Sequence, residues 1–119
     1  MNVLLGMDGS DLGFRALEEA VERAREAGDD LTVAIYGDET ARSEAAARVR
    51  ERLQEAGLEA PIRHVEGDPG SQLVELADGS GFDRLVVAGG ERTPLGKIRL
   101  GSVAEFVLLN AETTVTVVR

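Results

Sequence analysis

The chain has 119 residues, 43% of them hydrophobic, which is enough for a single domain with its own core. It contains no cysteine, which excludes disulfides, thiolate metal sites and a cysteine nucleophile. With 22 acidic against 13 basic residues and a net charge of −9, we expect no general affinity for nucleic acid. No apolar run approaches the roughly 20 residues of a membrane span, so we expect a soluble, cytoplasmic protein with no membrane contact.

Five apolar runs predict β-strands, and they alternate with helical patterns along the chain. The predicted strands cover residues 3–7, 31–36, 62–65, 82–88 and 114–118. Apolar residues spaced three and four apart predict helices at 12–24, 41–56, 69–77 and 102–110. Local signals support these ends: Ser10 and Asp68 are predicted N-caps, Pro69 is a favoured first helical residue, and Gly28 and Gly57 follow the last apolar positions.

Strand–helix alternation with nearly continuous apolar strands predicts a parallel sheet that is covered on both faces. We therefore expect one α/β domain over residues 1–119, with a doubly wound, Rossmann-like, five-stranded sheet of order 3-2-1-4-5. A crevice opens at the carboxyl ends of strands one and four, where the crossovers leave in opposite directions. The segment Asp8-Gly9-Ser10 and the segment 88–102 should flank this crevice.

Residues 88–102 form a glycine-rich, net-basic segment, which we interpret as a loop between the fourth strand and the fourth helix. Arg92, Lys97 and Arg99 outweigh Glu91, so the local charge is +2 in an acidic chain whose only lysine is Lys97. Free backbone N–H groups and the positive end of the helix dipole favour an anion at such a helix start. The segment is therefore a candidate phosphate site.

The order of short motifs along the chain resembles that of a universal stress protein over essentially its whole length. The motifs are Met7-Asp8-Gly9-Ser10, Gly67-Asp68-Pro69, residues 83–88, Gly101-Ser102-Val103-Ala104-Glu105 and residues 115–119. This resemblance implies the adenine nucleotide α-hydrolase-like fold and a stress-response regulator. Nucleotide binding would then be a sensing act, with at most weak ATP hydrolysis, because no general base is apparent near the loop.

The resemblance also points to a phosphate motif. Nucleotide-binding members of the family carry Gly, two residues, Gly, nine residues, then Gly-Ser or Gly-Thr. Here Ala88 and Glu91 occupy the first two glycine positions, and the neighbouring Gly89 and Gly90 offer backbone freedom at shifted positions. Arg92 and Thr93 match the family's basic and hydroxyl pair. Gly101 and Ser102 match the final pair, whose amides and hydroxyl would hold phosphate oxygens.

By the same resemblance, Asp8 would accept a hydrogen bond from the adenine amino group, and the backbone of Tyr36 would contact the adenine edge. The implied ligand is ATP or AMP, with Mg²⁺ in the case of ATP. The candidate nucleotide-binding residues are Met7, Asp8, Gly9, Ser10, Tyr36, Gly89, Gly90, Arg92, Thr93, Gly101, Ser102 and Val103.

Other interpretations remain open at the sequence level. Ser102 can simply cap the fourth helix, Arg92 can be a solvated loop charge, and Asp8 can close an Asx-turn ahead of the Ser10 cap. Ala88 and Glu91 favour a non-enzymatic dimerisation or interaction module of the same fold that binds no nucleotide. A hydrolase or transferase acting on a nucleotide α-phosphate is the third alternative, for which catalytic motifs are missing.

Three further features have structural interpretations. His64 lies on a predicted edge strand and is expected to be half-exposed rather than catalytic. The charged residues of the second helix are expected to form a solvated face: Arg42, Glu44, Arg48, Arg50, Glu51, Arg52 and Glu55. The last strand, Thr114–Val118, is expected at a sheet edge with unpaired backbone groups, and the resemblance implies a homodimer through it.

Overall fold

The structure is a computed structural model that describes the chain apart from Thr93 and Lys97, and that describes the backbone but not the side chains at 90–92 and 98–99. Its elements are β1 (Asn2–Met7), α1 (Asp11–Ala27), β2 (Asp30–Ile35), α2 (Glu39–Ala56), β3 (Ile62–His64), α3 (Pro69–Gly79), β4 (Arg84–Ala88), β5 (Gly90–Arg92), β6 (Ile98–Leu100), α4 (Ser102–Asn110) and β7 (Thr114–Val118).

The main sheet is parallel and has the order β3-β2-β1-β4-β7. This confirms the predicted 3-2-1-4-5 arrangement, with β7 as the fifth strand of the sheet. Leu5 of β1 lies opposite Val33 of β2 on one side and Val86 of β4 on the other. The switch point therefore falls between β1 and β4, as expected from the doubly wound pattern.

Alternate residues of each strand point to opposite faces and build two apolar layers. Leu5 and Leu17 belong to the layer under α1 and α2, while Leu4, Leu73 and Val107 belong to the layer under α3 and α4. Each of these side chains is fully buried. Burial of one such leucine contributes about 1.5–3 kcal/mol, so the two layers supply the main driving force for folding.

Helix ends follow the predicted capping chemistry. The side chains of Ser10, Asp38 and Asp68 accept hydrogen bonds from backbone N–H groups in the first turns of α1, α2 and α3. Gly28 and Gly57 end α1 and α2 in the left-handed conformation, with φ of 73° and 68°. The Asp38 cap starts α2 two residues earlier than the apolar pattern predicted. Among the described helices, none has the length and apolarity that a membrane crossing requires.

The segment 88–102 differs from the loop expected there, because it contains an antiparallel hairpin of β5 and β6. Gly90 pairs with Leu100, and the backbone of Glu91 pairs with that of Arg99. The turn includes Gly96, whose φ of 78° is one that glycine tolerates best. Two three-residue strands give no clear alternation in the sequence, which explains why the hairpin was not predicted.

The solvated face predicted for α2 is wrong for one residue, Arg42, which is only 7% exposed. Arg42 falls on the buried stripe of α2 together with Ala45, Ala46 and Val49, at spacings of three and four. Its aliphatic stem packs inside, and its Nη2 lies 3.6 Å from Glu66 Oε1. The remaining charged residues of that helix are exposed or half-exposed, as predicted.

Candidate functional site

A cleft of about 380 Å³ opens at the carboxyl ends of β1 and β4. Asp8 and Ser10 line it from the β1–α1 loop, Tyr36 lines it from the end of β2, and Ala88 lines it from the end of β4. The start of α4, residues 101–104, forms the opposite wall. The two glycine-containing segments therefore meet at the switch point, as the topology predicted.

Hydrogen bonds fix the β1–α1 loop. Asp8 Oδ1 accepts hydrogen bonds from the backbone N–H of Ser10, at 3.1 Å, and from the Ser10 hydroxyl. Ser10 Oγ in turn accepts from the Gly13 N–H at 3.1 Å. This arrangement confirms both the Asx-turn at Asp8 and the Ser10 cap. The Asp8 carboxylate is consequently held at the edge of the cleft by the same bonds that start α1.

Gly13 supports this loop and was missed by sequence reasoning. A Cβ at this position would lie 2.5 Å from the Asp8 backbone oxygen and 3.2 Å from Asp8 Oδ1. Only glycine lets the first turn of α1 approach Asp8 so closely. The sequence signal that could have identified it is a glycine inside a helical pattern. Glycine normally destabilises a helix, so its presence there indicates a close backbone contact.

Gly89 joins β4, β7 and α4. Its N–H donates to the Val118 carbonyl at 3.1 Å, and its own carbonyl accepts from the Gly101 N–H at 2.8 Å. These bonds hold the two ends of the hairpin together. They also correct one expected role, because the Gly101 amide is already paired within the protein and is not free to bind a phosphate oxygen.

The N-terminus of α4 has no side-chain cap. Gly101 is the N-cap residue, and Ser102 is the first helical residue, so the interpretation of Ser102 as the cap is wrong. Each of α1, α2 and α3 has a capping side chain, so α4 is the exception among the four described helices. Ser102 and Val103 line the cleft, so the positive end of the helix dipole lies beside it, which suits an anion.

Tyr36 follows β2 directly and lies across the cleft from α4. Its backbone N–H donates to the Met7 carbonyl at 3.0 Å, which holds the end of β2 against the end of β1. Burial raises the pKa of its phenol to about 12, and the negative charge of Asp8 adds to the shift. The phenol is therefore neutral at physiological pH.

A second hollow of about 360 Å³ adjoins the cleft on the side of α2. Asp8, Ser10 and Tyr36 line both hollows. Gly9 and Arg48 line only the second one. The three shared residues therefore form a common border, and each of them is accessible from two sides.

The family model described as "Universal stress protein family" matches residues 34–119 of the chain. The chain belongs to the universal stress protein family. This confirms the family suggested by the motifs of the sequence.

Other universal stress proteins are similar to this one along almost their full length. One from Mycolicibacterium smegmatis is 31% identical over 125 residues, covering 98% of this chain and 96% of the relative. The structure of a universal stress protein from Archaeoglobus fulgidus superposes with a TM-score of 0.84 at 25% identity, covering 100% and 98% of the two chains. The crystal structure of a universal stress protein in complex with cAMP superposes with a TM-score of 0.80 at 32% identity, covering 100% and 96%.

In this universal stress protein, most of the predicted site residues are brought together. Seven of them line the cleft: Asp8, Ser10, Tyr36, Gly89, Gly101, Ser102 and Val103. Met7 is buried below it, Gly9 borders the second hollow, and Gly90 belongs to the hairpin. The Arg92 side chain and Thr93 lie outside the described residues, as does the Glu91 side chain. Among the residues described, no group of three or more His, Asp or Glu side chains is placed to hold a metal ion.

Proposed function

We propose that this universal stress protein binds an adenine nucleotide in the cleft between β1 and β4, as a non-catalytic, cytoplasmic sensor. The observation that carries this proposal is the uncapped start of α4, which opens onto a cleft with Asp8 on its opposite rim. One end of the cleft suits a phosphate, and the carboxylate suits an amino group. An adenine nucleotide has both groups.

The similarity to a cAMP-bound universal stress protein at 32% identity supports an adenine nucleotide as the ligand. AMP and ATP carry the same base and ribose, and both remain candidates. With ATP, a magnesium ion would be carried largely by the phosphate oxygens, since Mg²⁺ commonly binds through substrate phosphates and few protein carboxylates.

The proposed roles follow from the hydrogen bonds already formed. The amides of Ser102 and Val103, together with the Ser102 hydroxyl, would bind phosphate oxygens. Asp8 would use the lone pairs left over from its bonds to Ser10 to accept from the adenine amino group. The Tyr36 backbone would contact the edge of the base. Arg92 and Thr93 are proposed as further phosphate contacts on the hairpin.

Position 101 offers a direct test. A Cβ at Gly101 would find its nearest neighbour, the Gly89 carbonyl oxygen, at 3.9 Å, so a side chain fits there. Gly101→Asp would place a carboxylate at the N-cap, where it accepts from the amides of the first turn and repels phosphate. Gly101→Ala adds the Cβ without the charge and is the matched control.

We expect AMP, or ATP with Mg²⁺, to bind the wild type and Gly101→Ala in calorimetry, and to be lost in Gly101→Asp. The same Asp variant should melt at a higher temperature, because it gains a helix cap. Denaturing the purified protein and separating the supernatant by chromatography would show whether a nucleotide is already bound. Equal nucleotide affinity in the Asp and Ala variants would refute the proposed phosphate position.

A second candidate function is an interaction module of the same fold that binds no nucleotide. Ala88 narrows the cleft with a methyl group where the family motif has glycine, and the Gly89–Gly101 hydrogen bond closes the base of the hairpin. No heat of binding with AMP, cAMP or ATP, together with an intact fold, would favour this module over the sensor.

We further propose that two copies pair through β7, Thr114–Val118. This strand is the outer edge of the sheet, and an edge of β-formers with unpaired backbone groups invites a second strand. Thr114→Lys adds a charge at an exposed position of this edge strand, while Ala47→Lys adds the same charge on the exposed surface of α2. Sedimentation should show a dimer for the wild type and Ala47→Lys and a monomer for Thr114→Lys.

A further inference from the structure

The Tyr36 side chain occupies a position that the backbone role does not explain. It packs against the apolar layer under α3 and α4 while remaining half-buried, and Tyr36 lines the cleft beside α4. Its backbone is fixed by the hydrogen bond to Met7. A half-buried aromatic residue that an apolar layer supports and that lines the cleft is suited to stack against a bound base.

The two ends of the cleft differ in chemistry. The start of α4, which has no side-chain cap, forms the anionic-ligand end, and Tyr36 is the only aromatic residue among the described residues lining either hollow. Asp8 borders both hollows beside Tyr36. A ligand that matches this order has a phosphate at one end, a flat ring at the other and an amino group on that ring.

We infer that the Tyr36 ring is the stacking surface for the nucleobase, which makes it a specificity-determining residue that favours purine nucleotides over pyrimidine nucleotides and over sugar phosphates. This inference rests on the proposed nucleotide-binding function. Both adenine and cytosine carry an amino group that can donate a hydrogen bond to Asp8. The carboxylate alone therefore does not make the site selective for adenine over cytosine. The larger face of a purine gains more from stacking on the ring.

The electrostatics around the ring agree with this role. Burial and the Asp8 charge raise the pKa of the Tyr36 phenol to about 12, so the ring stays neutral over the range in which nucleotides are assayed. A neutral phenol does not repel a nucleotide phosphate. Its hydroxyl also remains a hydrogen-bond donor.

The chain offers an intrinsic probe for this contact, because it has one tyrosine and no tryptophan. Its ultraviolet fluorescence is therefore dominated by Tyr36. We expect AMP to quench this emission as it binds, and ribose 5-phosphate, which has the phosphate and sugar but no base, to bind without quenching. A parallel titration of N-acetyltyrosinamide corrects for the light that AMP absorbs.

Variants measured by calorimetry test the energy of the contact. Base–aromatic stacking contributes about 1–3 kcal/mol, so Tyr36→Leu should weaken AMP binding about tenfold and leave ribose 5-phosphate unchanged. Tyr36→Phe keeps the ring and should hold AMP within about threefold of the wild type. AMP should bind more tightly than CMP to the wild type, and the difference should shrink in Tyr36→Leu. Thermal unfolding of each variant checks that it is folded.

The outcomes separate this inference from the proposed function. If AMP binds but causes no quenching, and Tyr36→Leu binds it as tightly as the wild type, the stacking role is wrong while the nucleotide site stands. If the wild type binds neither AMP nor ribose 5-phosphate, both the proposed nucleotide-binding function and the stacking role of Tyr36 are wrong. If Tyr36→Leu loses ribose 5-phosphate as well, the residue supports the cleft as a whole and does not select the base.

Discussion

Gly89 and Ala104 are in such close contact that no side chain fits between β4 and α4 at this point. A Cβ at Gly89 would lie 2.1 Å from the Ala104 Cβ and 3.5 Å from its Cα. The same glycine hydrogen-bonds to Val118 of β7 and to Gly101 at the start of α4. The position of the helix start that faces the cleft therefore depends on this one contact.

Gly89→Ala should destabilise the fold by about 1–3 kcal/mol, the usual cost of overpacking a tight contact. The neighbour is a rigid helix rather than a flexible side chain, so α4 must move to make room. We expect a lower melting temperature and weaker nucleotide binding. Gly101→Ala, whose Cβ has no neighbour closer than 3.9 Å, is the control: it should lower the melting temperature much less, by the N-cap preference for glycine over alanine alone, and leave nucleotide binding nearly unchanged. Equal melting temperatures for the two variants would contradict the tight packing.

Gly13→Ala should also destabilise, although alanine normally stabilises a helix relative to glycine by about 0.5–1 kcal/mol. The added methyl would meet the backbone oxygen of Asp8 at 2.5 Å, so α1 or the loop must shift. Gly79→Ala in α3, where no atom lies within 4 Å of the new Cβ, should be neutral or stabilising. Urea unfolding of both variants measures whether each substitution raises or lowers the free energy of unfolding. If Gly13→Ala were more stable than the wild type, the β1–α1 loop would be able to shift without a loss of folding free energy.

The sheet order and the helix boundaries could be predicted because they depend on local information. Continuous apolar runs indicate buried parallel strands, and residues such as Asp68 and Gly57 signal helix ends through bonds to near neighbours. Arg42 could not be placed in this way. A charged residue on an apolar stripe looks solvated until the packing shows that its stem is inside and its guanidinium reaches Glu66.

The position of the cleft could be predicted from the sequence, but the contacts that support it could not. The switch point and the motif at Asp8 predict where the cleft lies. The close approach of Gly89 to Ala104 joins residues that are far apart in the chain, and no local pattern reports it. Likewise, the pairing of the Gly101 amide with Gly89 is a tertiary contact. The motif at the helix start therefore predicted residues that line the cleft, but it could not show that the Gly101 amide is already paired.

The buried Arg42 is expected to contribute through its packing and not through its ion pair. Its partner Glu66 has a side chain that is 83% exposed, and pairs with an exposed carboxylate contribute about 0–1 kcal/mol. Glu66→Gln should therefore change the free energy of unfolding by less than about 0.5 kcal/mol. Arg42→Met, which keeps the stem and removes the buried charge, should be neutral or stabilising, whereas Arg42→Ala should destabilise. Chemical denaturation of the three variants tests this ranking, which a large loss in Arg42→Met would overturn.

The acid stability of the fold should depend on Asp78, which ties the end of α3 to the α4–β7 connection. Its carboxylate accepts from the Thr113 hydroxyl at 2.6 Å and from the backbone N–H groups of Thr113 and Glu112 at 3.0 Å and 3.1 Å. These bonds, the Thr113 hydroxyl first, lower the pKa of Asp78 below its ordinary value. The unfolded chain therefore takes up the proton more readily than the folded one.

The stability from Asp78 is consequently present above its ordinary pKa of 3.8 and is lost as the pH falls through the lower folded value. Asp78→Asn cannot gain this proton, so the variant should be less stable than the wild type at pH 6, and the difference should shrink as the pH falls below 3.8. Glu51→Gln removes one negative charge from the exposed surface of α2 and controls for net charge. Urea unfolding from pH 2 to 7 measures the effect. A constant difference between wild type and Asp78→Asn across that range would show that these bonds do not depend on the ionised carboxylate.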